Sequence, residues 1–438
     1  MTSRQSRAFL LTIFIFCVIV SRIILAQIPL EQLVQKYWLA SSTIERQKAA
    51  KEIVRTNPDF SELYQLLSVG KRYPVQSTGI IKVPQGGMNL PPHAVVIIPA
   101  DYQPDLSYPV QVYLHGAVTN NDPFFLYRYT LDTLDASLLQ TKSILIFPSG
   151  WSLAPWWSHA QADNIHRLLS WVKENYNIDE NQVRLRGVSD GGIGCYYLAN
   201  ADQTPWSVIT PFIGSLSVLN QLSDRQIYLS NFINSSMFIV NTTQDEIFDI
   251  TWEQPYINKL LSINSKTSFV QVDSSRHSLL WYPALKDSIE RFNQLHDRNP
   301  FPDALIWQTE DVVKYGRYKY IRIDKLGSLS KNKNANDENQ VQMLGTFVQA
   351  FSRETPSGLL KVTKSNNVVT VETQGVLQYT ILVSPDHFDL TSPVKIITNG
   401  KKSFEGIVHP DVETLLKWNL KDNDRKMLFA AEIKVKVN

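Results

Sequence analysis

The chain has 438 residues, 43% of them hydrophobic, which is longer than one typical domain and enough for sizeable apolar cores. Two or three units are therefore expected. The formal net charge is +2, and without the three arginines of residues 1–26 it falls by three charges to −1. This balance excludes a strongly basic surface for nucleic acid. No repeat, metal-ligand cluster, phosphate loop or dinucleotide fingerprint is present in the sequence.

Residues 1–26 have the pattern of a secretory signal peptide. A basic start precedes an apolar run from Ala8 to Val20, and the segment ends at Ile24-Leu25-Ala26. The run is short against the ~20 residues that span a bilayer, which favours cleavage near Ala26 over an uncleaved membrane anchor. The pattern predicts a secreted or periplasmic protein with no stable membrane insertion after cleavage.

Residues 27–79 are predicted to form a helical extension. From Ile28 to Ser68 the apolar residues recur at spacings of three and four, with an interruption at Asn57-Pro58. This spacing favours two helices packed against a catalytic core. The segment Gln76–Pro92, with its paired glycines and prolines, is expected to be a loop that enters the first strand.

A strand-like segment, Tyr108–Leu114, ends at His115-Gly116-Ala117. Such a turn can direct backbone N–H groups at a developing oxyanion, where side chains would obstruct them. The candidate oxyanion hole is therefore the N–H of Gly116 or Ala117 together with that of Asp190. An ordinary turn at the end of a strand is the alternative.

Three tryptophans, Trp151, Trp156 and Trp157, follow the expected strand Ser143–Phe147 in a loop that also contains Pro, Ser and Gly. They could form an aromatic wall that binds an acyl, sugar or aromatic group of a substrate. A packed loop anchored by tryptophans is at least as good an interpretation.

A Gly-x-Ser-x-Gly sequence spans Gly187–Gly191, between an apolar strand and the small-residue start of a helix. A serine hydroxyl is a poor nucleophile, so it must be presented on a sharp turn beside a general base and an oxyanion hole. Ser189 is the candidate nucleophile, although a chance pentapeptide would look the same. Cys195, the only cysteine outside residues 1–26, is interpreted as a small core residue without a disulfide.

The acid and the base are expected after two later strands. Ser236–Asn241 is followed by Asp245, and Ser268–Val272 is followed by His277. The order Ser189, Asp245, His277 is the α/β-hydrolase order of nucleophile, acid and histidine. Glu246 and Asp249 are rival acids, whereas Asp190 is too close to Ser189 along the chain and suits the first turn of a helix.

Residues from about Ile80 to Leu295 resemble the catalytic domain of the α/β-hydrolase superfamily. The nearest groups are the prolyl-oligopeptidase-like peptidases and the bacterial carboxylesterases that resemble polyhydroxybutyrate depolymerases or feruloyl esterases. The resemblance is carried by Tyr108–Gly116, Asn177–Val183, Gly187–Gly192, Asp245 and His277. Two features depart from it: Ala117 stands where a second glycine is common, and no seven-bladed propeller is present.

The resemblance implies an α/β-hydrolase fold for residues 80–300 and two-step acyl transfer on a Ser189–His277–Asp245 triad, with no cofactor and no metal. The missing propeller favours a small or polymeric ester as substrate over a peptide. A prolyl-oligopeptidase-like serine peptidase is the first alternative. A secreted binding module without catalysis is the second, and the complete set of triad residues speaks against it.

Residues 301–438 are predicted to form a mostly-β accessory domain of sandwich type. The predicted strands are Leu305–Trp307, Tyr318–Ile323, Val368–Glu372, Gln378–Val383 and Val394–Thr398. Asn399-Gly400 predicts a hairpin, and Pro410–Trp418 predicts one helix with Pro410 in its first turn. The polar stretch Lys331–Gln340 is expected to be a mobile loop. The domain could bind polymer, shape the rim of the site or stabilise the catalytic domain.

Overall fold

The computed structural model describes residues 28–84, 93–118, 142–273, 275–327, 339–351 and 355–437. The predicted signal peptide, and nearly all of the predicted loop Lys331–Gln340, lie outside these ranges. The chain divides into two compact units, one up to Lys71 and the other from Arg72 onward. In the described ranges, no helix is both long and apolar enough to span a membrane. The domain boundaries at 79/80 and 300/301 stay predictions.

The described part of the first unit, residues 28–71, contains three helices, α1 (Leu30–Leu39), α2 (Thr43–Arg55) and α3 (Phe60–Val69). The prediction of two helices was wrong because it missed the break at Ala40–Ser42. There the Ser42 side chain accepts a hydrogen bond from the N–H of Glu45 at 3.2 Å and caps α2. Packing of these helices against a catalytic core stays a prediction.

The second unit begins with an eight-stranded sheet in the order β1-β2-β4-β3-β5-β6-β7-β8. Its strands are β1 (Gly79–Pro84), β2 (His93–Ile98), β3 (Tyr108–Leu114), β4 (Ile144–Phe147), β5 (Ile178–Val188), β6 (Val208–Phe212), β7 (Met237–Thr242) and β8 (Thr267–Val272). From β4 to β8 every neighbouring pair is parallel, while β1 and β2 pair antiparallel. The loop predicted over Gln76–Pro92 was wrong for β1, where Ile81 pairs with Val96.

Helices connect these strands: α4 (His159–Asn175), α5 (Asp190–Ala201), α6 (Leu219–Leu222), α7 (Ile250–Ile263) and α8 (Tyr282–Leu295), with a 3₁₀ turn at Leu229–Asn234. Every residue of α5 from Gly191 to Ala201 is buried, so this helix lies at the centre of the unit. Its Cys195 is buried and unpaired, which confirms the prediction of a core cysteine.

The remainder of this unit is mostly β. Its elements are β9 (Ala304–Thr309), β10 (Arg317–Tyr318), β11 (Ile321–Leu326), β12 (Gln340–Met343), β13 (Thr346–Gln349), β14 (Gly358–Ser365), β15 (Val368–Gln374), β16 (Val376–Val383), β17 (Val394–Thr398), β18 (Lys401–Gly406), α9 (Val412–Asp422) and β19 (Ala431–Lys436). A four-stranded sheet, β10-β11-β16-β19, and a five-stranded sheet, β18-β17-β15-β14-β9, share one apolar core. The predicted class, an α/β fold with helices before it and a mostly-β region after it, is confirmed.

Local predictions in this region had mixed outcomes. The Asn399-Gly400 hairpin is confirmed, since both residues have positive φ, 49° and 77°, and they join β17 to β18. The single strand Tyr318–Ile323 was wrong, because a turn at Lys319 (φ 47°) separates β10 from β11. Pro410 lies before the helix, whose N-cap is Asp411.

The outer strand of the five-stranded sheet, β9, is paired by two asparagine side chains. Asn231 donates to the carbonyl of Gln308 at 3.0 Å and accepts from its N–H at 2.8 Å. Asn234 does the same with Ile306, at 2.7 and 3.2 Å. Both asparagines belong to the 3₁₀ turn before β7, so the α/β region of the chain satisfies the edge of the five-stranded sheet.

Candidate active site

The parallel strands β3, β5, β7 and β8 end at the same edge of the sheet, and the predicted site residues directly follow these ends. The His115-Gly116-Ala117 turn follows β3, Ser189 follows β5, Asp245 follows β7 and His277 follows β8. Strand parallelism therefore brings together residues that are up to 162 positions apart in the sequence, from 115 to 277.

Ser189 lies at a strained strand-to-helix turn. Its φ and ψ are 57° and −121°, a region that costs a non-glycine residue roughly 1–3 kcal/mol. The turn is held by a hydrogen bond from the N–H of Ser189 to the carbonyl of Phe212, at 2.9 Å. Gly187 and Gly191 leave no space for a side chain. A Cβ on Gly187 would lie 1.9 Å from the carbonyl oxygen of Gly191, and a Cβ on Gly191 would lie 2.0 Å from the carbonyl oxygen of Leu114.

Three side chains form a continuous hydrogen-bonded chain. Nε2 of His277 lies 2.8 Å from Oγ of Ser189, and Nδ1 of His277 lies 2.8 and 3.0 Å from the two carboxylate oxygens of Asp245. The Asp245 side chain is fully buried, and the His277 side chain is 12% exposed. This geometry lets the imidazole take a proton from the hydroxyl while the carboxylate fixes its tautomer.

The carboxylate of Asp245 is stabilised in its ionised form. Burial opposes ionisation, but hydrogen bonds from His277 and from the N–H groups of Phe248 and Ile247 outweigh it and lower the pKa of Asp245. Those two N–H groups lie 2.8 and 2.9 Å from Oδ1. Asp245 is therefore charged behind the histidine at neutral pH, as an orienting acid must be.

The rival acids have other partners. Glu246 accepts a hydrogen bond from the backbone N–H of His277 at 3.3 Å and pairs with Arg276 at 3.2 Å. Asp249 caps α7, where it accepts from the N–H of Thr251 at 2.8 Å. The structure thus brings Asp245, and neither rival, to the imidazole nitrogen of His277.

The predicted oxyanion residues surround Ser189. A Cβ on Gly116 would lie 3.0 Å from Cβ of Ser189, so this backbone passes directly beside the hydroxyl. Ala117 has a φ of 56°, the region in which glycine is unstrained, which explains why its replacement of glycine is unusual. Asp190 opens α5, and its Oδ2 accepts from the N–H of Val118 at 2.8 Å. The donor roles of Gly116, Ala117 and Asp190 stay predictions.

His115 supports this turn, a role that sequence reasoning missed. Its Nε2 accepts from the N–H of Gly150 at 3.1 Å, so Nδ1 carries the proton and donates to the carbonyl of Gly116 at 2.7 Å. Burial lowers the pKa of His115 to about 4, and the bond to Gly116 opposes that shift only in part. A neutral histidine thus links two loops beside Ser189. The His115-Gly116 dipeptide was the sequence feature from which this supporting role could have been predicted.

The aromatic wall predicted from three tryptophans was wrong for two of them. Trp156 is fully buried, with its indole N–H donating to the carbonyl of His115 at 2.8 Å and its ring against Gly194. Trp157 is 8% exposed. Both anchor a packed loop, as the alternative interpretation had it, whereas the wall stays a prediction for the partly buried Trp151.

No protein-family model and no curated protein matches the sequence. Similar solved structures include a thermostable esterase with 15% identity and a TM-score of 0.40, covering 50% of this chain and 63% of the esterase. A ferulic acid esterase of Anaeromyces mucronatus has 18% identity and a TM-score of 0.38, and the match covers 52% of this chain and 94% of the esterase. A putative dipeptidyl aminopeptidase IV of Bacteroides ovatus has 14% identity and a TM-score of 0.37, and the match covers 52% of this chain and 36% of the peptidase.

These low values leave the fold assignment to the structure itself. The strained serine after a parallel strand, the turn after β3 and the order of serine, acid and histidine agree with one fold. The second unit therefore has the α/β-hydrolase fold in its described residues.

Proposed function

We propose that the chain is a serine hydrolase that cleaves carboxylic esters through an acyl-enzyme on Ser189. The observation that supports this most strongly is the 2.8 Å distance from Oγ of Ser189 to Nε2 of His277, with Asp245 bonded to the other ring nitrogen. A nucleophile, a base and an orienting group within hydrogen-bond reach are the requirements for activating a hydroxyl.

In the first step, Oγ of Ser189 bonds to the substrate carbonyl carbon while its proton passes to Nε2 of His277. The tetrahedral intermediate collapses, the bond to the alcohol oxygen breaks, and His277 gives that proton to the leaving alcohol. In the second step, water attacks the acyl-enzyme, His277 takes a proton from the water, and Ser189 is reprotonated as the carboxylate departs. Asp245 stabilises the imidazolium in both steps.

Backbone N–H groups of Gly116 or Ala117 and of Asp190 are proposed to bind the oxyanion. One such donor contributes on the order of 3 kcal/mol to the transition state. The turn that carries Gly116 and Ala117 is fixed by His115 on one side and by Asp190 on the other. A turn fixed before substrate arrives needs little reorganisation during the reaction, which is the main source of this stabilisation.

Apolar side chains near the acid and the histidine support an ester with an apolar acyl group. Ile247 is 60% exposed two residues after Asp245, and Leu280 is 88% exposed three residues after His277. Leu279, which directly precedes Leu280, is 38% exposed. Exposed apolar side chains that follow the acid and the histidine so closely in the sequence suit an acyl chain better than a charged substrate.

Labelling with an activated fluorophosphonate tests the nucleophile. We expect modification at Ser189 by peptide mass mapping, none in Ser189→Ala, and unchanged labelling in the control Ser262→Ala, whose serine lies on α7. His277→Ala should lower the kcat for a p-nitrophenyl ester by on the order of 10⁵-fold, because base and nucleophile act as a unit. Labelling that persists in Ser189→Ala would overturn the assignment. A chain with neither labelling nor turnover would be a binding module.

The substrate class needs a separate test, because activated esters are cleaved even by serine peptidases. We compare kcat/KM for short-chain esters, feruloyl esters, hydroxyalkanoate oligomers and proline-containing peptides on one purified sample. Esters are expected to give the largest values. A peptide that exceeds every ester would establish the prolyl-oligopeptidase-like activity instead, with the same three catalytic residues.

We further propose that the protein is exported and loses residues 1–26. The basic start and the apolar run of that segment support this. After expression in a bacterial host, cell fractionation should find the protein outside the cytoplasm. N-terminal sequencing should find that it begins near Gln27. An intact Met1 on membrane-bound protein would identify an uncleaved anchor.

A further inference from the structure

A cavity of about 440 Å³ lies between the catalytic sheet and the mostly-β region. On the catalytic side it is lined by Ser207, Ser236 and Lys266, which precede β6, β7 and β8. On the other side it is lined by Leu305 of β9 and by Lys319 in the turn between β10 and β11. The cavity is therefore at the amino ends of strands whose carboxyl ends carry the catalytic residues.

The cavity is separate from the catalytic site. The strands β6, β7 and β8 have five or six residues each, and a strand rises about 3.3 Å per residue. The two sites are thus separated by the length of a strand, roughly 15–20 Å. A ligand that fits inside this cavity therefore cannot contact Ser189.

Lys319 brings a buried cation to the cavity. The residue is 7% exposed, and its Nζ donates to the carbonyl of Asn299 at 2.7 Å. An ammonium has three N–H donors, and no carboxylate oxygen among the described residues lies within 4.0 Å of this one. Burial, together with the charges of Arg298 and Lys266, lowers the pKa of Lys319 to about 7.

The neighbouring cation does not relieve this imbalance. Arg298 also lines the cavity, but its guanidinium is bound to Asp424 at 2.7 and 3.2 Å. That carboxylate is shared with Lys173, at 4.0 Å. The acids that line the cavity, Asp297 and Glu372, are exposed at its mouth. When Lys319 is protonated, the buried interior therefore carries a positive charge that no described carboxylate balances.

The backbone holds Lys319 in this position. Its φ of 47° is unfavourable for a residue with a side chain. Its N–H donates to Oγ1 of Thr204 at 3.3 Å, and its carbonyl accepts from Nε of Arg317 at 2.8 Å. Strain that is fixed by contacts on both sides of a residue is typical of functional positions.

Part of the cavity wall is apolar. Trp206, Ile209 and Leu305 line the cavity and are each at most 5% exposed in the folded chain. A volume of this order that combines an apolar surface with a few polar and charged groups is that of a small-molecule site.

We infer that this cavity is a second binding site, for a small organic anion. The carboxylate or phosphate head of the ligand accepts hydrogen bonds from the ammonium of Lys319, and its apolar body packs against Trp206, Ile209 and Leu305. An anion here removes the cost of burying an unbalanced cation, which is the physical source of its affinity.

Isothermal titration calorimetry of the purified chain tests this site, with benzoate and phenyl phosphate as probes. Benzamide is the neutral control for benzoate, and inorganic phosphate is the control without an apolar body. We expect at least one organic anion to bind at least about tenfold more tightly than both controls. Benzamide lacks the charge-assisted hydrogen bond to Lys319, and inorganic phosphate lacks the apolar body that packs against the wall of the cavity. Binding of phosphate alone would overturn the apolar half of the inference.

Variants locate the binding. Lys319→Met should lower the affinity for the organic anion by about tenfold or more. Lys402→Met, at an exposed lysine of β18, should leave that affinity unchanged. Thr370→Trp, at an exposed position of the lining, should block entry without replacing the buried lysine, and it serves if Lys319→Met does not fold. Ester hydrolysis should be unchanged in both. Equal affinity in wild type, Lys319→Met and Thr370→Trp would overturn the site.

Discussion

At the carboxyl edge of the eight-stranded sheet, Asp245 is surrounded by His277 and two backbone N–H groups. At the amino edge, the described partners of buried Lys319 are one carbonyl and the ring of Tyr318, and no carboxylate is among them. The first arrangement comes from loops of one sheet, whose parallel strands bring acid and base together. The second comes from packing a later turn onto that sheet. One edge therefore contains a charge balanced by its own fold, and the other contains a charge that is open to an external partner.

Removing the charge at the balanced edge should have the largest effect. Asp245→Asn is expected to lower the kcat for an ester by on the order of 10⁴-fold, because an amide cannot stabilise the imidazolium and favours the wrong tautomer. Folding should change little, since the Asn oxygen can still accept from Phe248 and Ile247. Steady-state kinetics and circular dichroism melting measure the two effects.

The rival acids provide the matched controls. Asp249→Asn keeps an N-cap of equal quality, and Glu246→Gln keeps an acceptor for the N–H of His277. Both variants should retain activity within about a factor of three, which corresponds to the small cost of a weakened exposed contact. If either one lost as much activity as Asp245→Asn, the acid would have to be reassigned.

An intermediate effect is expected at Asp190, whose carboxylate joins the turn after β3 to the start of α5. Asp190→Ala removes the acceptor for Val118 N–H, so the turn is less well placed and kcat should fall on the order of tenfold with little change in KM. Asp190→Asn keeps an acceptor oxygen and should recover most of the rate. Equal kcat values for the Ala variant and wild type would show that the contact does not position the turn.

The smallest effect concerns stability at the unbalanced edge. The pKa of Lys319 is lowered to about 7 in the folded chain, so between pH 7 and 9 the unfolded chain binds a proton that the folded chain does not. The free energy of unfolding should therefore rise with pH there, by at most about 1.4 kcal/mol per pH unit from this group.

Lys319→Met should reduce that slope, as measured by urea unfolding at pH 7, 8 and 9 in a buffer without organic anions. The matched control is Lys402→Met, whose exposed lysine should leave the slope unchanged. Identical slopes in all three proteins would mean that Lys319 keeps its proton in the folded chain.

The catalytic edge could be predicted from the sequence because its signals are local. Each candidate residue directly follows an apolar strand, and parallel strands leave few choices for where their ends meet. Likewise Asn399-Gly400 predicts its hairpin, because both residues tolerate positive φ. Even β1 had a local signal that the glycine and proline pairs obscured: Ile81 and Val83 alternate with polar or exposed positions.

The remainder depends on contacts between distant residues. Nothing local distinguishes a tryptophan that lines a site from one that is buried, and Trp156 is buried because Gly194 and the carbonyl of His115 lie against it. The turn at Lys319 is fixed in the same way by Thr204, 115 residues earlier. The break between α1 and α2 lacks glycine and proline, so only the capping serine, Ser42, marked it.

The two asparagines on β9 have a consequence for how the chain can be divided. Asn231 and Asn234 replace a neighbouring strand, so a fragment beginning at Phe301 would leave backbone donors and acceptors of Ile306 and Gln308 without those partners. An uncovered outer strand is a template for pairing with other chains, and such a fragment should aggregate. We therefore expect the mostly-β region to depend on the preceding α/β region for its solubility, and expression of residues 301–438 alone would measure that dependence.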